Sequence, residues 1–284
     1  MSAGGVVWLN GRIVGPEEAL VSALDRGLLY GDGLFETMRS YGGRVFLLGE
    51  HLRRLAASAS FLRLRLPYTQ TQLAEAVNLV AGGDSSIRLT VTRGQHTGSL
   101  SLETDHPPTV IIQAKPVVDY PEEYRRSGMP VCVSAIRRDE ASPIVRHKTL
   151  NYLESLLARA EAAERGCGEA LLLNTAGFVA EGATSNVLWV RRGEVCTPSA
   201  DAGLLAGIVR ELVIRLCCAE RIRVHEGLFA AGELLEADEV FLTNSLMELM
   251  PVRSIDGQEI RGGAPGPVTS RLVQAYRREV ERSR

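Results

Sequence analysis

The chain has 284 residues, 45% hydrophobic and 23% charged, a composition that suits a globular protein of one large or two medium domains. A formal net charge of −2, with basic residues spread along the sequence, favours neither nucleic acid nor an acidic membrane surface, and no apolar run approaches membrane-spanning length. Cys132, Cys167, Cys196, Cys217 and Cys218 form no Cys-x-x-Cys pair and residues 1–5 show no signal-peptide pattern, so a reduced, cytoplasmic setting without a disulfide framework is expected.

Residues 6–9 and 12–14 read as a hairpin closed by Asn10-Gly11. A Gly-rich connection over 24–33 leads into strands over 34–39 and 44–47. Leu52, Leu55, Ala59 and Leu62 recur at helical spacing and predict a helix over 50–66, stopped by Pro67. A short helix follows over 71–80. Residues 87–93 alternate apolar and polar as a half-buried strand, and 110–114 form another. Pro116 and Pro121 mark 117–122 as a linker between a smaller domain over 1–116 and a larger one over 123–284. The second half opens with a strand over 131–136 and a helix over 149–165 stopped by Gly166. Short strands follow over 170–174, 178–181, 186–190 and 195–198. A helix ends near Ala219, a short one covers 230–235, strands cover 239–243 and 250–255, and a loop over 262–267 precedes a terminal helix over 268–282.

Among 32 Lys and Arg residues only Lys115 and Lys148 are lysine. Arginine keeps its proton near neutral pH and cannot act as an amine nucleophile, whereas lysine can. Lys148, in Arg146-His147-Lys148-Thr149-Leu150-Asn151-Tyr152, is therefore the candidate Schiff-base residue. On local sequence alone it also fits an ordinary surface lysine at a helix start. A pyridoxal-phosphate site needs an amine, an acid for the pyridine nitrogen, an anion site and a donor near the ring hydroxyl. Glu181 ends an apolar strand, where an unpaired carboxylate is costly, although a partly exposed strand end would tolerate it. Gly207-Ile208-Val209 opens a helix whose free amides suit a phosphate, and Ser245 could add donors or merely cap a turn. His51, His96, His106, His147 and His225 show no metal-ligand spacing. P-loop, nucleophile-elbow and dinucleotide fingerprints are absent.

In combination and order, these pieces resemble the fold-type IV pyridoxal-phosphate enzymes. That family (aminotransferase class IV) includes branched-chain and D-amino-acid aminotransferases and 4-amino-4-deoxychorismate lyase. The matching segments are Asp25-Arg26-Gly27 through Glu36, Glu50-His51-Leu52-Arg53-Arg54-Leu55, the lysine stretch, Glu181-Gly182 through Asn186, Leu205 through Arg210, and Thr243-Asn244-Ser245 through Val252. The resemblance implies a two-domain α/β (α+β) fold with the cofactor in the cleft between domains, the lysine in the larger one, and a homodimer. It also implies pyridoxal 5'-phosphate as cofactor and a small-molecule amine as substrate. Lys148 would be catalytic, with Arg54, Gly207, Ile208, Val209 and Ser245 at the phosphate, Glu181 at the pyridine nitrogen and Tyr152 near the ring hydroxyl. Tyr30, Phe35, Arg93, Asn244 and Met247 would line the substrate pocket. Arg146 and His147 are expected to fix the chain entering its helix and to assist deprotonation of the lysine. The Tyr-x-Arg-Pro of the branched-chain type is absent, and Arg93-Gly94-Gln95-His96-Thr97 matches the D-type poorly. Asn244-Ser245-Leu246-Met247 replaces the small-residue late loop of branched-chain enzymes and is more similar to the lyase. The resemblance thus implies a lyase yielding 4-aminobenzoate and pyruvate for folate biosynthesis, with an aminotransferase of the same fold as the alternative.

Overall fold

Strands with one apolar and one polar face open the chain. The structure, a computed structural model describing residues 6–95, 98, 100–103, 106–261 and 265–283, pairs them into an antiparallel sheet. β1 (Val7–Leu9) and β2 (Arg12–Val14) form the expected hairpin, with Asn10 and Gly11 at φ 48° and 94°. The Gly-rich connection holds a short helix, α1 (Arg26–Tyr30). It begins where Asp25 Oδ1 accepts from Gly27 N at 2.7 Å and ends at Gly31, φ 66°. Then come β3 (Gly33–Tyr41), β4 (Arg44–Val45), α2 (Leu48–Phe61), α3 (Gln70–Val80), β5 (Ser85–Thr92) and β6 (Thr109–Pro116). Sheet order is β2-β1-β6-β5-β3-β4. α2 stops before its expected end because Arg63 turns left-handed (φ 50°) and Leu64 N bonds back to Ala59 O at 2.8 Å. That turn buries Leu64 in the core.

One face of this sheet packs Leu34, Met38, Ile87, Leu89, Val91 and Ile112 against Leu52, Leu55, Leu73 and Val77 of the two helices. Strand alternation sends Phe35, Thr37 and Arg39 of β3, with their register partners Thr90, Arg88 and Ser86 of β5, to the other face. The unit comprises the chain to Val117 together with His147–Asn151. The lysine stretch was expected in the larger, later domain, leading into a helix from residue 149. It is instead extended alongside β3: Phe35 N donates to Lys148 O at 2.9 Å and Leu150 N to Gly33 O at 3.0 Å. These backbone bonds outcompete helix propensity, so the next helix starts only at Leu153.

The second unit holds Val118–Arg146 and Tyr152–Arg282. It contains α4 (Glu122–Ser127), β7 (Met129–Arg138), α5 (Leu153–Glu164), β8 (Glu169–Asn174), β9 (Val179–Gly182), β10 (Asn186–Arg191), β11 (Glu194–Pro198) and α6 (Ile208–Ala219). β12 (Val224–Gly227), α7 (Gly232–Leu235), β13 (Glu239–Asn244), β14 (Glu248–Ile255), β15 (Gln258–Glu259) and α8 (Pro267–Ser283) complete it. Its nine strands run β12-β11-β10-β13-β14-β7-β8-β9, with β15 on β14. β7 is parallel to β8 and β14, and β12 to β11; the other pairs are antiparallel. β8 is buried along its whole length, which explains its unbroken apolar run. α4 and β12 escaped the sequence reading because they are short and mostly polar. Within the expected loop over 262–267, residues 262–264 lie outside the described ones, as do residues 1–5, His96 and Thr97.

Candidate functional site

In the first unit the site grows from the start of β3. Gly33 is required there: a Cβ would lie 2.6 Å from Val91 O and 2.7 Å from Leu150 Cδ1. The close approach lets Thr149 bridge to Leu34 and sets the lysine stretch in register. Asn151 Nδ2 adds a bond to Gly31 O at 3.2 Å. His147 docks the same stretch onto α2, with Nδ1 3.0 Å from Ser58 Oγ and its ring stacked on Phe61 at 4.2 Å. Arg146 is exposed at the end of a 3-10 turn (Pro143–Arg146). Lys148 is half-buried, its Nζ 4.4 Å from the Phe35 ring centroid. The guanidinium of Arg88 lies 3.8 Å from the same centroid. An amine and a permanent cation therefore share one aromatic ring.

On the core face of β3, Glu36 is 1% exposed. It accepts from Arg54 Nε at 2.8 Å, from Arg54 Nη2 at 2.7 Å and from His51 Nδ1 at 2.7 Å. Burial pushes the Glu36 carboxyl up. The Arg54 guanidinium, by charge and hydrogen bond, and His51 outweigh it and hold the group at about 2. Burial lowers His51 below its ordinary value; Glu36 works against that, and Arg54 and Lys148 add to it. The imidazole is thus neutral, with its proton on Nδ1 facing the carboxylate.

In the second unit the acid Glu181 of β9 is 6% exposed. Arg138 Nη2 meets its Oε1 at 3.0 Å, while Leu205 N and Asn186 Nδ2 donate to Oε2 at 3.1 and 3.5 Å. Asn186 Nδ2 also donates to Leu205 O at 2.9 Å, and so fixes the chain entering α6. Gly207 is the N-cap of α6 and makes no side-chain cap bond. A Cβ there would fall 1.8 Å from Asn186 Oδ1. The amides of Ile208 and Val209 open the helix, where backbone donors lack helical partners. Thr243, register partner of Asn186 on the same sheet face, has a buried hydroxyl with no hydrogen-bond partner among the described residues. A bare helix N-terminus, an orphaned hydroxyl and a buried, paired carboxylate fit a ligand carrying both an anion and a basic ring nitrogen.

Sequence reasoning missed two supports of this arrangement. Arg88 occupies the polar phase of an alternating strand, and strand pairing was the signal that would set it near Phe35. Glu169, fully buried, accepts from Thr184 Oγ1 at 2.5 Å, Ser185 Oγ at 3.2 Å and Arg159 Nη1 at 3.3 Å, bracing the segment after Glu181.

Three expected pocket residues are committed elsewhere. Arg93 donates to Asp32 Oδ2 and to the carbonyls of Leu62, Arg63 and Leu102, so each guanidinium nitrogen is engaged. Met247 is fully buried in the core of the second unit. Asn244 ties its own turn: Oδ1 accepts from Leu246 N and Met247 N at 2.9 and 2.8 Å, and Nδ2 donates to Thr184 O at 3.1 Å. Ser245 lies in that turn, half-buried. Tyr30, 45% exposed, ends α1 with the Arg26 guanidinium 5.6 Å from its ring, and Tyr152 is the N-cap of α5. Among the described residues no cluster of three His, Cys, Asp or Glu is placed to hold a metal, and no helix is long and apolar enough to cross a membrane.

Comparison with known proteins adds to this geometry. Residues 33–255 match the model of the family described as amino-transferase class IV. The chain is 38% identical over 280 residues to a putative branched-chain-amino-acid aminotransferase of Methanocaldococcus jannaschii, covering 95% of each. It is 30% identical to the aminodeoxychorismate lyase of Bacillus subtilis, covering 97% of this chain and 95% of that one. Among solved structures, the branched-chain amino acid aminotransferase of Thermobaculum terrenum in its PLP-form superposes with a TM-score of 0.86 at 32% identity, covering 99% and 95% of the two chains.

Proposed function

We propose, from the premise that this chain belongs to the amino-transferase class IV family, that it is a pyridoxal-phosphate-dependent aminotransferase acting on small amino acids of the branched-chain or D-type. The observation that carries the reading is Lys148 and Arg88 against one Phe35 ring. An amino acid presents an amine-bearing carbon beside a carboxylate. A lysine amine and a guanidinium against one aromatic ring supply groups that match that pair.

Bound, the cofactor would supply the electron sink that lets a proton leave the amine-bearing carbon. Lys148 Nζ would take that proton from the amine-bearing carbon and deliver it to the carbon that receives the amino group, so that the substrate leaves as its keto acid. Glu181, paired with Arg138, would hold the proton of the pyridine nitrogen. Arg54, the amides of Ile208 and Val209, and Ser245 would bind the phosphate, Gly207 leaving room for it. Tyr152 would face the ring hydroxyl. Tyr30 and Phe35 would wall the substrate, which Arg88 would orient by its carboxylate. A homodimer is part of the proposal, supported by the exposed Leu153, Leu156 and Leu157 along one face of α5.

The aminodeoxychorismate lyase expected from the late turn becomes the second reading. One observation favours it: Asn244 Oδ1 already occupies the Leu246 and Met247 amides, which are then not offered to a substrate carboxylate. Purified protein loaded with pyridoxal phosphate is incubated with leucine or D-alanine and 2-oxoglutarate, and separately with aminodeoxychorismate. Keto-acid formation from an amino acid supports the aminotransferase. Formation of 4-aminobenzoate and pyruvate without transamination replaces it with the lyase. A protein that takes up no cofactor in either case refutes both.

A further inference from the structure

We propose that Glu36 and His51 are positioning residues that hold the Arg54 guanidinium as a preformed phosphate receptor. The inference rests on the reading of Arg54 as a phosphate ligand and extends it to the residues behind that side chain.

Glu36 is out of place as a fold-building residue. It lies on the core face of β3 between Leu34 and Met38, opposite Leu89 in the neighbouring strand, all buried. A well-packed apolar residue there would serve the fold at least as well, because a buried ion pair recovers little more than its own desolvation. A carboxylate at that position therefore calls for a reason outside packing.

The geometry supplies one. Glu36 meets Arg54 side-on through Nε and Nη2, at 2.8 and 2.7 Å. Two parallel bonds fix the plane and the direction of a guanidinium where one bond would leave it free to swing. Nη1, on the opposite edge, is aimed by the same pair. His51 stands one turn before Arg54 on α2, so both side chains share a helix stripe. Its Nδ1 occupies Glu36 Oε2 at 2.7 Å and removes that oxygen's freedom to rotate. Because the imidazole is neutral, it secures the carboxylate without adding a cation beside the arginine. The stripe continues to Ser58, which holds His147 next to Lys148. One helix face thus sets both the arginine and the lysine segment. An arginine so held gives up little rotamer freedom when an anion arrives.

The test compares pyridoxal phosphate with pyridoxal, which lacks the phosphate but keeps the aldehyde. Both are titrated into the cofactor-free full-length protein, and binding is read from the absorbance change on reaction with Lys148. In Glu36→Gln, which keeps shape and one acceptor, pyridoxal phosphate should bind about tenfold more weakly, the size of loss that follows removal of an ion ligand's outer partner. Pyridoxal should stay within about twofold of the parent, because the aldehyde chemistry is untouched. Equal weakening of both compounds, or of neither, overturns the proposal. Arg54→Met is run in parallel. If it leaves the preference for the phosphate form intact, the phosphate reading of Arg54 itself fails. If it abolishes the preference while Glu36→Gln does not, only the positioning role fails. Should Glu36→Gln not fold, Glu36→Asp, which retracts the charge by one methylene, is judged by the same ratio. His51→Leu should lower the ratio in the same direction, and an unchanged ratio there removes His51 from the proposal.

Discussion

Replacing Gly207 by alanine isolates the geometry at the start of α6. The backbone at Gly207 (φ −75°, ψ 131°) suits any residue, so alanine introduces no dihedral strain. The cost comes from the new methyl, 1.8 Å from Asn186 Oδ1 and 3.0 Å from its Cγ. Asn186 has to withdraw by more than an ångström. It cannot do so and keep its bonds to Leu205 O and Glu181 Oε2. With Asn186 only 5% exposed, water does not replace them. One buried amide left unsatisfied costs about 1–3 kcal/mol. Loss of the Leu205 anchor and the small N-cap preference for glycine over alanine bring the expected destabilisation to about 3 kcal/mol. Urea unfolding at neutral pH measures it. The double variant Gly207→Ala/Asn186→Ala supplies the control. Asn186→Ala alone loses the same bonds, so adding the methyl should then cost under about 0.5 kcal/mol, giving a coupling of opposite sign to the single effects. Additive single effects, or a Gly207→Ala variant as stable as the parent, would refute the reasoning.

Other consequences follow from the same structure. Glu36, held at about 2 against an ordinary 4.5, contributes stability that is complete above about pH 4.5 and lost as pH falls toward 2, about 3 kcal/mol in all; the stability gap between parent and Glu36→Gln, measured by denaturant titration, should close across that window. His51 is depressed by burial, so the unfolded chain binds the extra proton first, and stability should begin to fall below about pH 6.5 in the parent but not in His51→Leu. Arg88→Met, on the exposed-side phase of β5, should raise the amino-acid KM at least about tenfold while moving unfolding by under about 1 kcal/mol; an unchanged KM removes Arg88 from substrate binding. Arg93→Met should do the reverse, destabilising by about 2–4 kcal/mol with KM unchanged, because its bonds end on Asp32 and three backbone carbonyls.

How far the sequence could be read depended on whether the deciding contacts were local. β5 was legible because period-two alternation reports which side of a strand is buried. The hairpin at Asn10-Gly11 was legible because the turn's dihedrals belong to those two residues. Lys148 was legible as chemistry, since few lysines occur, but not as structure. Helix-forming neighbours suggested a helix from residue 149, while the outcome was decided by bonds to Gly33 and Phe35, more than a hundred residues earlier. Arg93 is the same lesson inverted. An arginine beside a glycine invites a substrate role, and only the carbonyls of Leu62, Arg63 and Leu102 converging on it reveal a structural clamp. Met247 and Asn244 were named from a loop pattern, which says nothing about which way the turn folds back. Arg88 was visible as the polar phase of a strand, yet its significance required the register that sets β5 beside β3.

The first unit devotes two carboxylates, Glu36 buried and Asp32 half-buried, to the strand that carries the lysine segment. Asp32, one residue before β3, takes Arg26 Nε and Arg93 Nε, each at 2.8 Å. Glu36, within the strand, takes Arg54 and His51. Between them lie Gly33, Leu34 and Phe35, whose backbone and bridge contacts position Lys148 to Leu150. Charges of this kind add little to net stability, because desolvation offsets most of what pairing returns. They do fix direction, since each carboxylate is held by donors from separate parts of the chain. Asp32 joins β3 to the arginine that clamps the end of α2, and Glu36 joins it to the first turns of that same helix. A shift of β3 along its axis would break both centres at once. The lysine segment has no regular secondary structure of its own, so it takes its precision from this doubly anchored strand. A reactive amine on an otherwise irregular segment needs a rigid neighbour to hold it within hydrogen-bonding tolerance of its target. The placement of charge in the core is therefore better explained by the positioning of Lys148 than by the stability of the sheet.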